Sequence, residues 1–165
     1  MPGTLTAQDG KEFVTRAIDA RAEAFGSLAQ SIWDLAELGY LETESSALLQ
    51  RHLSDAGFSI EMGVAGIPTA FIASWGTGEP VIGILAEFDA LPGISQGRVP
   101  ERSPREDMNA GHACGHHLFG AGSTAAAIAV KEWLATSGTT GTIRQYGTPA
   151  EEGGAGKEYI VRGGL

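Results

Sequence analysis

The stretch VIGILA, residues 81–86, is apolar almost throughout. Such a run is typical of a β-strand that is buried on both faces of a sheet. Small and apolar residues over 113–137 predict a helix, and residues 141–146 predict a further strand. This strand–helix–strand order indicates an α/β layer fold with a largely parallel sheet.

The flanking segments continue the same pattern of helices and strands. Residues 11–38 carry apolar side chains at close to the helical period, which predicts one amphipathic helix that ends near Gly39. The other predicted segments are a helix over residues 43–56, strands over 58–64 and 69–75, a polar loop over 91–111 and a short helix over 157–162. Functional groups in such sheets gather in loops beyond the carboxyl ends of the strands. The loops after Phe88, before Cys114 and after Tyr146 are therefore candidates.

Composition narrows the class of protein. The 165 residues suffice for one domain with a hydrophobic core, and 42 % apolar with 19 % charged residues is typical of a soluble protein. A net charge of −9 argues against a nucleic-acid surface. No apolar run reaches the roughly 20 residues of a membrane span, and Met1–Gly10 lacks the pattern of a signal peptide. We therefore expect no nucleic-acid or membrane partner and a cytoplasmic location.

The densest chemical cluster is GHACGHH, residues 111–117. It holds three of the four His residues and the only cysteine, Cys114, so an intrachain disulfide is impossible. Imidazole and thiolate are good ligands for zinc and related divalent metals, and Cys114 and His116 can both turn toward one ion at an irregular helix start. A polar helix N-terminus with an ordinary thiol is the alternative. Because His and Cys are uncommon and crowded here, the metal site is favoured.

Two acidic features follow predicted strands. Glu151 and Glu152 precede glycines that let the backbone bend, so one carboxylate can bind a metal while the other acts as a general base. Taken alone, an acidic turn or helix start explains this pair better. Asp89 ends the strand that begins at Val81, where it can orient a metal-binding His. An Asp that opens a turn is an equal alternative there.

Three motifs in this order resemble a known family. They are AEFDALPG at residues 86–93, GHACGH at 111–116 and PAEEGG at 149–154. The chain is similar to the aminoacylase/carboxypeptidase metallohydrolases. Within them it looks most like the branch of hippurate hydrolases, auxin-conjugate hydrolases and p-aminobenzoyl-glutamate hydrolases, and the first motif and His117 point to the last of these.

The resemblance implies roles that the residues alone do not. It implies that Cys114, His116 and Glu152 are metal ligands, that Glu151 is the general base, and that Asp89 supports the metal centre. It further implies two divalent ions, zinc or manganese, and hydrolysis of the amide bond in an N-acyl or N-aroyl amino acid. The implied fold is a zinc-exopeptidase-like three-layer sandwich with a mostly parallel mixed sheet.

The resemblance also implies that residues 1–165 are the N-terminal part of one catalytic domain. Members of the family are more than twice as long, so we expect further ligands, the last strands of the sheet and a smaller domain that pairs subunits to lie beyond Leu165. On that expectation the sheet is incomplete at its C-terminal side, and the full-length enzyme is a homo-oligomer. The isolated chain is then inactive. A non-catalytic metal-binding or assembly module and a redox-active thiol protein are the competing functions.

Overall fold

The computed structural model describes residues 7–165. The first six residues of Met1–Gly10, the segment that lacks a signal-peptide pattern, lie outside this range. In chain order the elements are α1 (Ala7–Asp19), α2 (Ala22–Leu35), α3 (Thr43–Asp55), β1 (Ser59–Met62), β2 (Phe71–Thr77), β3 (Val81–Ala86), β4 (Leu91–Pro92), β5 (Ala110–Gly111), α4 (His116–Ser137), β6 (Gly141–Gly147), α5 (Glu151–Gly154) and α6 (Gly156–Arg162). None of these helices is long and apolar enough to cross a membrane.

The predicted first helix is two helices, α1 and α2. The break lies at Arg21, whose backbone leaves the helical conformation at φ −122° and ψ 16°. Its guanidinium forms a two-pronged ion pair with Glu132 of α4, at 2.6 and 3.0 Å. The bend lets both helices pack against α4. Apolar periodicity reports which residues face the core but is insensitive to such a bend, so the prediction of one continuous helix is wrong.

The main sheet has four strands in the order β1-β2-β6-β3. β3 and β6 are parallel, because α4 provides the crossover between them. The pairs β1–β2 and β2–β6 are antiparallel. The predicted α/β fold with a mixed sheet is confirmed. Antiparallel pairs nevertheless outnumber the parallel pair among these strands, because β1 and β2 are joined by too short a connection for a parallel crossover.

The main core lies between the sheet and the helices α2, α3 and α4. Its largest fully buried apolar side chains come from α2, α3, the sheet and the loop after β3, namely Ile32, Leu49, Leu53, Phe71, Phe88 and Ile143. The predicted small residues let α4 approach the sheet closely. At Gly120 an added Cβ would lie 2.7 Å from the carbonyl oxygen of Glu87. This contact sets the start of α4 against the end of β3.

The opposite face of the sheet carries a smaller layer. There Ile72 of β2 packs with Ile160 of α6 and with residues of the turn that begins at Val64. β3 lies at the edge of the sheet, and Val81, Ile82 and Leu85 are between 43 % and 49 % exposed. The expectation that this strand is buried on both faces is wrong for the described residues. An apolar run shows that a strand is suited to burial, but not that residues 7–165 bury both of its faces.

Candidate metal and active site

Three loops meet where β3 and β6 end. Because these strands are parallel, the loops that follow them lie at the same edge of the sheet. The N-terminus of α4, which crosses between the two strands, brings His116 to the same edge. The chain thus gathers Asp89, His116 and the Glu151–Glu152 pair in one place, as the order of the motifs predicts.

His116 is the centre of this group. Its buried ring lies 2.9 Å from Asp89 through Nδ1 and 2.9 Å from Glu87 through Nε2. Oxygens of Glu151 and Glu152 lie 3.8 Å from the same ring, on Nε2 and Nδ1 respectively. One imidazole therefore contacts carboxylates from both strand ends.

Asp89 links the other two loops. It is fully buried, and its Oδ1 faces His116 Nδ1 while its Oδ2 accepts the backbone N–H of Glu152 at 2.8 Å. The carbonyl oxygen of Asp89 also lies 3.2 Å from Nδ1. Both of these neighbours of Nδ1 are acceptors, so a hydrogen on Nδ1 is donated to Asp89, while Nε2 faces the carboxylates of Glu87 and Glu151. This geometry suits a residue that orients a ligating imidazole.

Glu87 is the site residue to which the sequence analysis gives no role. Its Oε2 contacts His116, and its Oε1 lies 2.5 Å from the ammonium of Lys157 in the first turn of α6. Ligand atoms of Glu87, His116 and Glu151 all lie within 4.8 Å of one another, which is close enough to hold one metal ion. Side chains alternate between the two sides of an extended chain, so residues 87 and 89 point to the same side. This alternation is the sequence feature that identifies Glu87 as a neighbour of Asp89.

Cys114 and Glu152 form a pair beside this group. The Cys114 thiol is exposed and is hydrogen-bonded to the Glu152 carboxylate. That bond raises the pKa of Cys114, and desolvation by neighbouring groups and the negative charges of Glu152, Glu151 and Asp89 add to the effect. A redox-active thiol needs the opposite shift. The acidic neighbours of Cys114 therefore argue against the redox alternative.

His112 and His117 are not part of the metal-binding group. The buried His112 ring donates through Nε2 to the carbonyl oxygen of Ile32 at 3.1 Å. Burial lowers its pKa to about 4, and the neighbouring charge of His117 adds to this, so the ring is neutral at pH 7. The rings of His112 and His117 lie 5.0 Å apart. His112 thereby ties the segment before α4 to α2.

The turn after β6 is tightly folded. Ala150 has φ +56° and Gly153 has φ +108°, both in the left-handed region. The turn is anchored to β3, because the N–H and the hydroxyl of Thr148 both donate to the carbonyl oxygen of Ala86. An added Cβ at Gly156 would lie 2.0 Å from the carbonyl oxygen of Pro149, so a side chain cannot be placed there. The predicted backbone bend after Glu152 is confirmed.

The charges of the site suit a divalent cation. Four carboxylates, from Glu87, Asp89, Glu151 and Glu152, surround one imidazole, and Lys157 forms an ion pair with one of them, Glu87. Oxygen and nitrogen donors of this kind bind zinc and manganese. The residues present therefore fit the metal ions that the sequence implies.

Known proteins share both the fold and the site segment. The family model of "Peptidase family M20/M25/M40" matches residues 83–165. A p-aminobenzoyl-glutamate hydrolase of Escherichia coli is 46 % identical over 160 residues, which cover 96 % of this chain and 33 % of the relative. The Xaa-Arg dipeptidase of Mus musculus is 32 % identical over 178 residues, which cover 99 % of this chain and 38 % of the relative.

Two solved structures show the same fold. A Bacillus subtilis protein described as a dinuclear metal binding peptidase from the M20 family matches with a TM-score of 0.66 at 29 % identity, over 93 % of this chain and 40 % of that one. An aminobenzoyl-glutamate utilization protein from Klebsiella pneumoniae matches with a TM-score of 0.64 at 17 % identity, over 92 % of this chain and 42 % of that one.

The chain spans about a third of the length of the curated relatives it matches. The family match nevertheless includes each of the carboxylates around His116, and it covers half of the sequence. The resemblance inferred from the three motifs is thereby confirmed. This chain belongs to peptidase family M20/M25/M40, a family of hydrolytic enzymes.

Proposed function

We propose that residues 1–165 are the N-terminal part of the catalytic domain of a metal-dependent amidohydrolase. The whole protein cleaves the amide bond of an N-acyl or N-aroyl amino acid. The observation that carries this proposal is the contact of His116 with Asp89 and Glu87, in a segment shared with hydrolytic relatives. A buried imidazole oriented by a carboxylate is the usual arrangement of a metal-binding histidine.

Two divalent ions, zinc or manganese, complete the proposed site. Cys114, His116 and Glu152 are the ligands that the family resemblance implies, and Glu87 joins them on geometric grounds. Glu151 belongs to the same geometric group, but the resemblance makes it the general base, and we assign it that part. When bound, such ions polarise the scissile carbonyl and lower the pKa of water. The description of a structural relative as dinuclear supports the number of ions.

Asp89 and Glu151 have different parts in the proposed reaction. Asp89 accepts the Nδ1 hydrogen of His116, which fixes the tautomer and presents Nε2 as the ligating nitrogen. The side chain of Glu151 is 43 % exposed, so substrate and water can reach it. Glu151 takes the proton of the attacking water on a carboxylate oxygen and passes it to the leaving amine nitrogen.

An aminobenzoyl-glutamate-like compound is the proposed substrate class. The name of the Escherichia coli relative supports it. A cavity of about 560 Å³ also borders the segment that leads into Cys114, and its lining includes Trp33, Ile94, Val99 and Ala113. Such a cavity has room for an acyl or aroyl group. A dipeptide-like substrate would present the same amide bond.

The remaining features of the proposal concern the whole protein. We propose that it forms homo-oligomers and is cytoplasmic. The location is supported by Cys114, because a metal-ligating thiol must stay reduced and the cytosol keeps thiols reduced. The alternative function is a non-catalytic metal-binding or assembly module. The exposed apolar edge of β3 fits both functions, since it is a place where a strand of the whole protein or of a partner would pair.

Metal titration combined with turnover tests the proposal. Binding of Zn²⁺ and Mn²⁺ to the 165-residue chain is measured by native mass spectrometry and calorimetry, with His116→Ala as the variant and His52→Ala, in α3, as the control. We expect His116→Ala to weaken binding by at least about 100-fold and the control to bind normally. Equal binding by both variants would contradict the proposed metal centre.

Turnover is measured with p-aminobenzoyl-glutamate and hippurate. We expect the full-length protein to hydrolyse at least one of them and the 165-residue chain to show little or no activity. Turnover by the 165-residue chain at ordinary enzyme rates, about 1–10³ per second, would contradict the proposed division of the catalytic domain. Metal binding without turnover by the full-length protein would establish the module instead.

A further inference from the structure

Glu42 is a buried carboxylate for which the proposed reaction has no use. It lies between α2 and α3 and is fully buried. Its Oε1 accepts the backbone N–H of Ala150 at 2.8 Å, and its Oε2 accepts the hydroxyl of Thr69 at 3.0 Å. Ala150 directly precedes Glu151. The carboxylate therefore reaches across more than 100 residues of sequence to the turn that carries the site glutamates.

The segment around Glu42 holds that turn at further points. An added Cβ at Gly39 would lie 3.0 Å from Ala150, so the two backbones are in close contact. The hydroxyl of Tyr40 donates to the carbonyl oxygen of Gly154 at the end of the turn. The N-terminal side of the turn is thus held by Glu42 and its C-terminal side by Tyr40.

The same segment also holds the loop of Asp89. The N–H of Ala90 donates to the carbonyl oxygen of Glu37 at 2.8 Å, and Leu38 forms a β-bridge with Ala90. Residues 37–42 therefore contact both strand-end loops next to their functional carboxylates. A shift of this segment would change the distance between Asp89 and the Glu151–Glu152 pair.

A carboxylate is an expensive side chain for a purely structural contact in a protein interior. Burying it without a cation costs free energy, and apolar side chains of similar volume usually serve stability as well or better. The pKa of Glu42 is raised by burial, although hydrogen bonds from Ala150 and Thr69 oppose the rise. What a carboxylate offers here is two acceptor oxygens at a fixed separation. One of them satisfies an N–H of a strained, left-handed residue.

We propose that Glu42 is a positioning residue of the metal centre, which fixes Ala150 so that Glu151 and Glu152 face His116. The inference rests on the proposed function, because it assumes that this turn supplies a metal ligand and the base. It assigns Glu42 no contact with substrate or metal. Its effect passes through the backbone at Ala150.

Binding of Co²⁺ alone to the 165-residue chain tests the inference. The absorption band of thiolate-to-cobalt charge transfer reports whether Cys114 joins the site, and titration gives the dissociation constant. Urea unfolding gives the stability of each variant in parallel. The variants are Glu42→Ala, Glu42→Gln, Glu42→Asp and Thr69→Val, and the control is Glu44→Ala, an exposed glutamate two residues further along.

The expected pattern separates positioning from stability. Glu42→Gln keeps an acceptor oxygen at the length needed for Ala150, so its Co²⁺ affinity stays within about threefold of wild type. Glu42→Asp keeps the carboxyl group but is too short, and with Glu42→Ala it weakens Co²⁺ binding by about 10–100-fold and reduces the charge-transfer band. Thr69→Val loses only the other bond, so it unfolds at lower urea but binds Co²⁺ nearly as wild type does.

Two outcomes would overturn the inference. One is that Glu42→Asp binds Co²⁺ as tightly as wild type, a comparison that stands even where Glu42→Ala does not fold. The other is that Co²⁺ affinity follows the unfolding midpoint across all variants, including Thr69→Val, since that pattern marks a purely structural role. If the wild-type chain itself binds no Co²⁺ with a thiolate band, the proposed function fails first, which is a distinct result.

Discussion

The loops after β3 and β6 each carry two carboxylates, yet they hold them in opposite ways. Glu87 and Asp89 are buried, and each of their four oxygens contacts a side chain or a backbone group. In the loop after β6 the backbone is held, while the Glu151 side chain is 43 % exposed. One loop fixes both of its carboxylate side chains, whereas the other fixes its backbone and leaves the side chain of Glu151 exposed. This is the division expected between groups that position a ligand and a group that moves a proton.

Among substitutions in the two loops, Asp89→Ala should have the largest effect on stability and zinc affinity. It removes the acceptor of His116 Nδ1 and leaves the N–H of Glu152 without its buried partner. We expect a loss of about 3 kcal/mol in the free energy of unfolding and a roughly 10–100-fold weaker zinc affinity. Urea unfolding and calorimetric titration measure these two quantities. A stable variant with unchanged zinc affinity would show that Asp89 does not link the loops.

Glu87→Gln should have an intermediate effect. The amide is a poorer metal ligand than a carboxylate and loses the ion pair with Lys157, so zinc affinity should fall by about tenfold. Calorimetric titration against Glu61→Gln, an exposed position on β1, provides the comparison. Equal affinity in the two variants would remove Glu87 from the metal site and leave its contact with Lys157 as a structural ion pair.

Glu151→Gln should have the smallest effect on folding and metal binding. Because the side chain is half exposed and its closest described partner is 3.8 Å away, we expect changes within about 0.5 kcal/mol in both. Turnover by the full-length protein should nevertheless fall by at least about 100-fold, since the general base is lost. Zinc affinity that falls as far as in Glu87→Gln would make Glu151 a ligand and contradict the contrast between the loops.

The sequence predicts which residues meet at the site better than it predicts the distances between them. The strand–helix–strand order around His116 is sufficient to bring the three loops to one edge, because parallel strands end on the same side. The contact between Asp89 and His116 also follows from the end of a strand and the start of a helix. Alternation with Asp89 indicates that Glu87 faces the site, but its ion pair with Lys157, a residue from a helix 70 positions later, cannot be predicted from a local pattern.

The same limit explains the errors in the fold. The pattern of residues 11–38 is satisfied by one helix or by two, since either arrangement faces its apolar side to α4. The decision is made at Arg21 by the distant Glu132. The apolar run of β3 likewise makes the strand suited to burial, but the elements packed beside it decide whether it is buried. Local sequence patterns limit the helices and strands that can form, and long-range contacts decide which of them form and which faces are buried.

The close approach at Gly120 has a consequence for how tolerant this site is to change. His116 and Gly120 are one helical turn apart, and Gly120 touches the carbonyl of the residue whose carboxylate meets the imidazole. A single added methyl group there would act as a wedge between helix and strand. The dimensions of the charged centre therefore depend on a position that has no side chain at all, and a mutation of that position would disable chemistry in which it takes no part.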